Sequence, residues 1–301
     1  MLFMKDSLVI AHGDPGPWFY LEQHEAMNEA LRHAIEVTME RINIGASAYT
    51  AFEGTLEEFC RLLVQYAFNR IELRNFLGGD GCVDGRDVPR IKDTLRFTEL
   101  RSTIHAPWKL NLASDDPVKR GRALAQYLQT IDIAHELGSD VLVFHGGWNT
   151  DPLTGRDLLA QAAHEMLRHA RGSDVVLALE NDEISRPTLF HNPEDFAALD
   201  VPDLAFVLDV GHANTHGHSA ADFIEVMKGR IAEVHVHDND GTSDQHLPIG
   251  AGTVDWQAAA ASLVDQQPFI TVVECYSPAH LAASAGVLTT RLAGAFGVTR
   301  S

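Results

Sequence analysis

The sequence predicts an α/β fold of one particular kind, a single closed (β/α)8 barrel, and three observations predict it. Short apolar runs alternate with helix-compatible segments from Arg41 to the end of the chain. Residues able to ligate a metal or carry a proton arrive at the end of one run after another: His105, His145, Glu180, Asp209 with His212, His235, Asp244 with His246, and Glu274. No linker-like, proline-rich or low-complexity run divides residues 41–301. One carboxylate at one strand end would mean little. Many imidazoles and carboxylates at successive strand ends imply a common mouth at which the side chains converge. An open doubly wound sheet is the runner-up, but the chain has neither a GxGxxG nor a GxxxxGKS/T loop to favour it.

Taken in order, residues 1–40 form an N-terminal extension. PWFYLEQHEAMNEALRHAIEVTMER is helix-compatible and polar, with Leu31, Ile35 and Val37 giving a partial apolar face. It is suited to capping the barrel floor, pairing with another subunit or being loosely held, and His12, His24 and His33 read as surface residues because none ends a strand. INIGASA is the first strand, and Thr55 with Glu58 makes a capping box before a helix whose Phe59, Leu62, Leu63 and Tyr66 share one face. RIELR is the second strand, followed by a helix through DVPRIKDTLRF. STIH is the third, and Leu124, Tyr127, Leu128 and Ile131 mark the next helix, which Gly138 closes. DVLVFHG, DVVLALEN, LAFVLD, IAEVHVH and FITVVEC continue as strands four to eight. They alternate with helices on DLLAQAAHEMLRHA, PEDFAAL, ADFIEVMKG and DWQAAAASLVDQ, and a last helix starts near Pro278. Strands this uniformly apolar suit a parallel barrel covered on both faces.

Composition limits the function. A chain of 301 residues, 45% hydrophobic, buries a full core. Its net charge of −19, from 42 acidic and 23 basic residues, opposes any broad grip on a phosphate backbone. Cys60, Cys82 and Cys275 form no CxxC and leave an odd thiol, which indicates a reducing compartment, and Cys275 reads as a small buried residue. The start MLFMKDSLVIAHG is too short in apolar residues for a signal peptide, and no segment approaches a membrane span, so the expected location is cytoplasmic.

Oxygen and nitrogen donors without thiolates suit Mn, Co, Mg, Fe or Zn at a catalytic site rather than a closed structural zinc. Glu180 and Glu274 carry most weight, because a carboxylate ending an apolar inner strand is costly to bury unless paired or metal-bound. Asp209 and His212, three apart, are expected to serve neighbouring positions rather than one metal. Each motif also has a plain structural explanation: His145-Gly-Gly as a tight turn, DVGH and DQH as chance, and Trp108 as ordinary packing. His169, His191, His216 and His218 read as surface or turn residues. His237 and Asp238 fit either substrate contact or loop hydrogen bonding.

Together HAPWKLNLAS, FHGG, LEND, LDVGHA and HVHDNDGTSDQHLPIGAGTVDW resemble the xylose isomerase-like TIM-barrel superfamily, which includes sugar isomerases and epimerases, inosose dehydratases and endonuclease IV. The resemblance runs from about residue 41 to the C-terminus. Carried over from the isomerase and epimerase members, it implies one divalent metal on Glu180, Asp209, His235 and Glu274, with His212 contacting a substrate oxygen. Carried over from endonuclease IV, it implies a cluster in which His105, His145 and a bridging Glu180 hold one further metal and His212, Asp244 and His246 another.

Departures from the nuclease pattern separate the two. NDEISRP stands where endonuclease IV-like proteins have a small glycine-rich loop, and Trp108 and Lys109 stand where they carry a Tyr and a Leu that probe DNA. LENDE and HGG also resemble UV-damage endonucleases locally, whereas LDVGHA and HLPIGAGTVDW look more like the isomerase branch. The expected enzyme is therefore a metal-dependent isomerase or epimerase of a sugar or sugar phosphate. Glu180 and Glu274 would exchange a proton next to a carbonyl through a metal-stabilised enediolate. Trp108 would wall the sugar, and Lys109 or Arg186 would meet an acidic or phosphorylated group. The alternatives are an endonuclease IV-like enzyme acting on abasic DNA and a non-catalytic barrel subunit. Expected partners are a small-molecule sugar and, through the extension, a second copy in a homo-oligomer, with no membrane.

Overall fold

The computed structural model describes residues 43–47, 54–74, 87–266 and 269–290; the 1–40 extension and Cys82 lie outside them. Eight strands pair in chain order, all parallel: β1 (Ile44–Ser47), β2 (Arg70–Arg74), β3 (Arg101–His105), β4 (Val141–His145), β5 (Val176–Glu180), β6 (Ala205–Asp209), β7 (Ile231–Val236) and β8 (Ile270–Val273). β8 returns to β1 and closes the barrel. Around it lie α1 (Leu56–Gln65), α2 (Val88–Thr98), α3 (Pro117–Leu137), α4 (Pro152–His169), α5 (Pro193–Ala197), α6 (Val210–Thr215), α7 (Ala220–Met227), α8 (Trp256–Leu263) and α9 (Pro278–Thr290). None of the described helices is long and apolar enough to cross a membrane.

Local chemistry starts and stops these helices. Thr55 and Glu58 form the expected box: Glu58 N donates to Thr55 Oγ1 at 3.2 Å and Thr55 N to Glu58 Oε2 at 2.7 Å. Asp116 and Asp151 cap α3 and α4, each followed by a proline at the first helical position. Gly138 ends α3 at φ 69°. In α1 the buried face is Phe59, Cys60 and Leu63, with Leu62 and Tyr66 packed beside it.

Alternation along each strand divides the apolar residues between two cores. Ile71, Leu73, Ile104, Leu142, Phe144 and Phe206 belong to the large core, which takes in the helices. A second, smaller cluster of Val141, Val143, Ala178, Val207, Ile270 and Val272 comes from β4, β5, β6 and β8 and lines the barrel interior. The reading of all eight strands as apolar is corrected on the other side of that interior. There β2, β3 and β7 present Arg70, Glu72, Arg74, Thr103, Glu233 and His235, all buried. Some of these polar residues pair, Arg74 with Glu274 and His235 with Glu233, and the site lies directly above them. Between β6 and β7 the register slips after Phe206, which sets Asp209 beside His235.

Candidate metal centre

β3, β4 and β5 end in His105, His145 and Glu180, which meet at one point. Glu180 Oε2 lies 3.1 Å from His105 Nε2 and 3.2 Å from His145 Nε2. The other faces of the two rings are held in place, His105 Nδ1 at 2.8 Å from the Ala106 carbonyl and His145 Nδ1 at 2.9 Å from Asp182 Oδ1. The glycines after His145 are required by geometry. A Cβ on Gly146 would stand 2.2 Å from the Phe190 ring, and Gly147 turns at φ 72° against Asn111. His-Gly-Gly is thus a tight turn that also presents the His145 ring to Glu180.

The second oxygen of Glu180 faces β7. His235 Nδ1 is 3.0 Å from Glu180 Oε1, 3.8 Å from Asp209 Oδ2 and 3.9 Å from Glu274 Oε1. Of the four positions that the isomerase resemblance assigns to one metal, three carboxylates therefore adjoin the imidazole nitrogen of the fourth. Arg74 Nη2 lies 2.5 Å from Glu274 Oε1. Burial opposes charge on Glu274, yet Arg74 and His235 hold its carboxyl well below the usual range.

Asp209 belongs to two adjoining sets, with Glu180 and His235 and with His212 and His237, whereas His212 belongs to the second alone. Asp209 caps α6, accepting the His212 amide at 2.7 Å, and this one-turn return carries the His212 ring back until Nδ1 is 3.5 Å from Asp209 Oδ2. His237 completes the group. It is 0% exposed, with Nε2 at 3.0 Å from Asp209 Oδ1, and it stacks on His246 at 4.2 Å between ring centres. His246 Nε2 in turn is 2.9 Å from Asp244 Oδ2, and His212 Nε2 is 3.5 Å from the same oxygen. His237 thus belongs to the site, whereas Asp238 is a loop residue. Its carboxylate accepts from the Gly250 amide, the Val254 amide and Trp256 Nε1 at 2.9, 3.2 and 2.8 Å.

These donors fit divalent cations. Three sets, His105–His145–Glu180, Glu180–Asp209–His235 and His237–Asp244–His246, each bring one ligand atom per residue within 4.8 Å of the others. Asp209–His212–His237 is a fourth such set, and Glu72–His105–His235–Glu274 a fifth. The atoms His212 Nε2, His237 Nδ1 and Asp244 Oδ1 are buried without a hydrogen-bond partner among the described residues, as a cation site requires of lone pairs kept for an ion. Asn181, the amide beside the centre, is spent on the backbone of Asp209 at 2.9 and 2.8 Å, so the candidate ligand atoms are imidazole nitrogen and carboxylate oxygen.

At the mouth, Trp108 stands 6.4 Å from Trp148, with Arg186 at 5.2 Å and Lys109 at 5.3 Å from its ring. Arg186 is also tied to Asp182 at 3.2 Å and Glu183 at 3.5 Å. Tyr276, 41% exposed, lies against His246 at 4.6 Å.

Sequence reasoning missed Glu72, Arg74, Glu233 and Asp182. RIELR and IAEVH carry the signal: charges spaced by two in a buried strand share one face, and Glu233 shares its face with His235. His191 and His216 lie against each other at 4.7 Å and His169 pairs with Asp132 at 2.7 Å, outside the centre, as expected of them.

A family model described as the xylose isomerase-like TIM barrel matches residues 60–291, and the chain belongs to that family. An uncharacterized protein of Methanocaldococcus jannaschii is 32% identical over 171 residues, which is 52% of this chain and 58% of the relative. The match therefore spans less than two thirds of that relative's length. A probable endonuclease 4 of Mycobacterium leprae is 27% identical over 188 residues, 57% of this chain and 71% of the relative. Among solved structures, a D-tagatose 3-epimerase-like protein superposes with a TM-score of 0.73 at 24% identity, covering 82% of this chain and 96% of that one. Endonuclease IV from Thermus thermophilus gives 0.64 at 18% identity, covering 82% and 98%. Both structures share the fold.

Proposed function

We propose that this protein is a divalent-metal-dependent isomerase or epimerase of a sugar or sugar phosphate. The observation that carries the proposal is the approach of Glu180 and Glu274, from β5 and β8, to the same nitrogen of His235, at 3.0 and 3.9 Å. Two carboxylates then flank one metal position, as proton exchange at a carbon beside a chelated carbonyl needs. A divalent cation held by Glu180, Asp209, His235 and Glu274 would polarise that carbonyl and stabilise the enediolate. Burial opposes ionisation of Glu180, but His235, His145 and His105 keep it ionised, and Arg74 does the same for Glu274, so both stand as carboxylates, the form a proton acceptor must have. One would abstract and the other return. Delivery to the opposite face yields an epimer and delivery to the adjacent carbon an isomer. His212 would meet a substrate oxygen, Trp108 would wall the sugar carbons, and Lys109 with Arg186 would face an anionic group.

The test is solvent exchange. Incubated in heavy water with Mn or Co, the protein should place deuterium beside the carbonyl of at least one ketose in a panel, and Glu180→Gln should stop it. Glu274→Gln should abolish turnover while the barrel stays folded, and a variant that kept most of its activity would sink this mechanism.

A second reading, metal-activated hydrolysis at abasic DNA, draws on two observations: every ligand position of the nuclease cluster is filled and buried or nearly so, and the relatives with a named activity are probable endonucleases 4. The net charge of −19 and the acidic Asp182-Glu183 loop weigh against it. Protein inactive on all ketoses, yet incising abasic duplex in a chelator-sensitive way, would reverse the ranking. One tight metal per chain would favour the epimerase, and three the nuclease.

A further inference from the structure

Beneath the metal-facing residues, two carboxylates are buried that the chemistry above does not use. Glu72 on β2 and Glu233 on β7 are each 0% exposed. His235 Nε2 lies 3.2 Å from Glu72 Oε2 and 3.1 Å from Glu233 Oε1, while its Nδ1 faces Glu180 and Asp209. One imidazole therefore stands between an upper carboxylate set and a lower one.

The lower pair has little other support. Thr103 Oγ1 donates to Glu233 Oε1 at 3.4 Å, and Arg74 Nη2 is 3.9 Å from Glu72 Oε1 but only 2.5 Å from Glu274. Neither Glu72 oxygen, nor Glu233 Oε2, meets hydrogen-bond geometry with a described group. Filling space does not need such residues: β4, β5, β6 and β8 line the same interior with Val143, Ala178, Val207 and Val272. A buried ionic group held this loosely weakens the fold by several kcal/mol relative to apolar packing, so its retention points to a task.

We infer that Glu72 and Glu233 are a positioning pair for His235. Glu233 accepts from Nε2–H inside the barrel and Glu72 stands 3.2 Å from the same nitrogen, which fixes the tautomer, turns the Nδ1 lone pair toward Glu180 and Asp209 and strengthens that nitrogen as a ligand. The two act from different sides. Glu233 sits two residues before His235 on the same strand, and Glu72 comes from a strand that is not its neighbour. A flipped ring would face both with carbon. The inference rests on His235 being a metal ligand, as in the reading above, and not on the sugar chemistry.

The experiment uses the full chain and reads metal binding. In zinc-loaded protein with 15N-labelled histidine, long-range proton–nitrogen spectra should show His235 ligated through Nδ1 and protonated at Nε2. Glu72→Gln/Glu233→Gln keeps shape and loses charge. Measured against a chelator, it should bind the cation that His235→Ala loses about 10- to 100-fold more weakly, with a shifted visible band when cobalt is loaded. Glu233→Gln alone should retain part of that affinity through its carbonyl. Val141→Ala, which opens the same apolar cluster at a position whose ladder partner is Val176, should lower stability and leave affinity unchanged.

Ligation through Nε2 in the wild-type protein would overturn the inference, even if the double variant does not fold. So would a folded double variant with wild-type affinity and cobalt spectrum. If His235→Ala keeps its full metal complement, the ligand assignment itself fails, and that outcome is distinct from the other two.

Discussion

A single hydrogen atom at Gly211 makes room for His237. A Cβ there would stand 2.1 Å from His237 Cε1 and 2.5 Å from Nε2. Gly211→Ala should push the ring off Asp209 and away from His246, destabilise the fold by about 1–3 kcal/mol, and lower the metal bound near Asp244. Urea titration and metal analysis check the two effects separately. His246 adds strain of its own, since it sits at φ 48° without being glycine, a conformation found disproportionately at functional sites. None of this was legible in the sequence. DVGH and HVHD announce the chemistry, but which of the two strand-seven histidines faces which carboxylate depends on the register slip after Phe206 and on the fold-back of α6 from Asp209. Proton binding at these residues gives a further prediction. Burial disfavours charge on His212 and His235, yet Asp209 and Asp244 around the first, and Glu180 and Glu72 around the second, hold both well above the ordinary value of 6.5. Their contribution to stability of the metal-free protein is fully present below about 6.5 and is lost as pH rises past the raised values. A cation at the same nitrogens must displace those protons, so affinity should rise by about tenfold per pH unit for each proton displaced. Chelator competition at pH 6 and pH 8 measures this, and equal affinities at both would contradict it.

Element by element, the barrel could be read from the sequence because each strand and helix carries its own local signal: the Thr55–Glu58 box, proline after Asp116 and Asp151, Gly138 at a helix end. The interior could not. Periodicity says which residues share a face, but a strand such as RIELR presents the same alternation whether its charges point to solvent or to the barrel axis. Only closure of β8 on β1 decides that. The β7–α8 loop shows the same limit. HDNDGTSDQHLPIGAGTVDW reads as a motif, whereas the structure assigns its parts separate work, with Asp244 and His246 in the site and Asp238 holding the loop. The Asp238 carboxylate is 0% exposed and accepts from Gly250, Val254 and Trp256. Asp238→Ala should therefore cost about 3 kcal/mol or more, because it leaves buried donors unmet, and should loosen Asp244 and His246. Reduced stability together with weaker metal binding is the expected result, and lost stability with unchanged metal binding would separate the loop from the site.

For the molecule as a whole, the acidic balance has a location. A net charge of −19 is spread over the chain, but Glu72, Glu180, Asp182, Asp209, Glu233 and Glu274 are buried together at the barrel axis and mouth. Divalent metal should stabilise such an array. At a hundredfold excess over Kd the gain is about 2.7 kcal/mol for one site, or roughly 5–10 °C in Tm for a domain of this size. Thermal melts with Mn or Zn, and after chelation, should show that difference, and identical melts would argue against a metal centre in the mouth.

The candidate ligands come from β3, β4, β5, β6, β7, β8 and the loops that follow them, so a cation bound there would close a ring that the backbone must close first. Of the five ligand sets only His237–Asp244–His246 lies in one short stretch of chain; the other four draw on two or more strands and their loops. A cation at those four sets therefore has little to hold until the transition state for folding has passed. Binding should leave the refolding rate almost untouched and act on the reverse step, slowing unfolding by nearly the whole of its contribution to stability. A protein built this way gains endurance rather than speed from its metal: once loaded, it is expected to resist proteolysis and heat for far longer than its equilibrium stability without the ion would suggest.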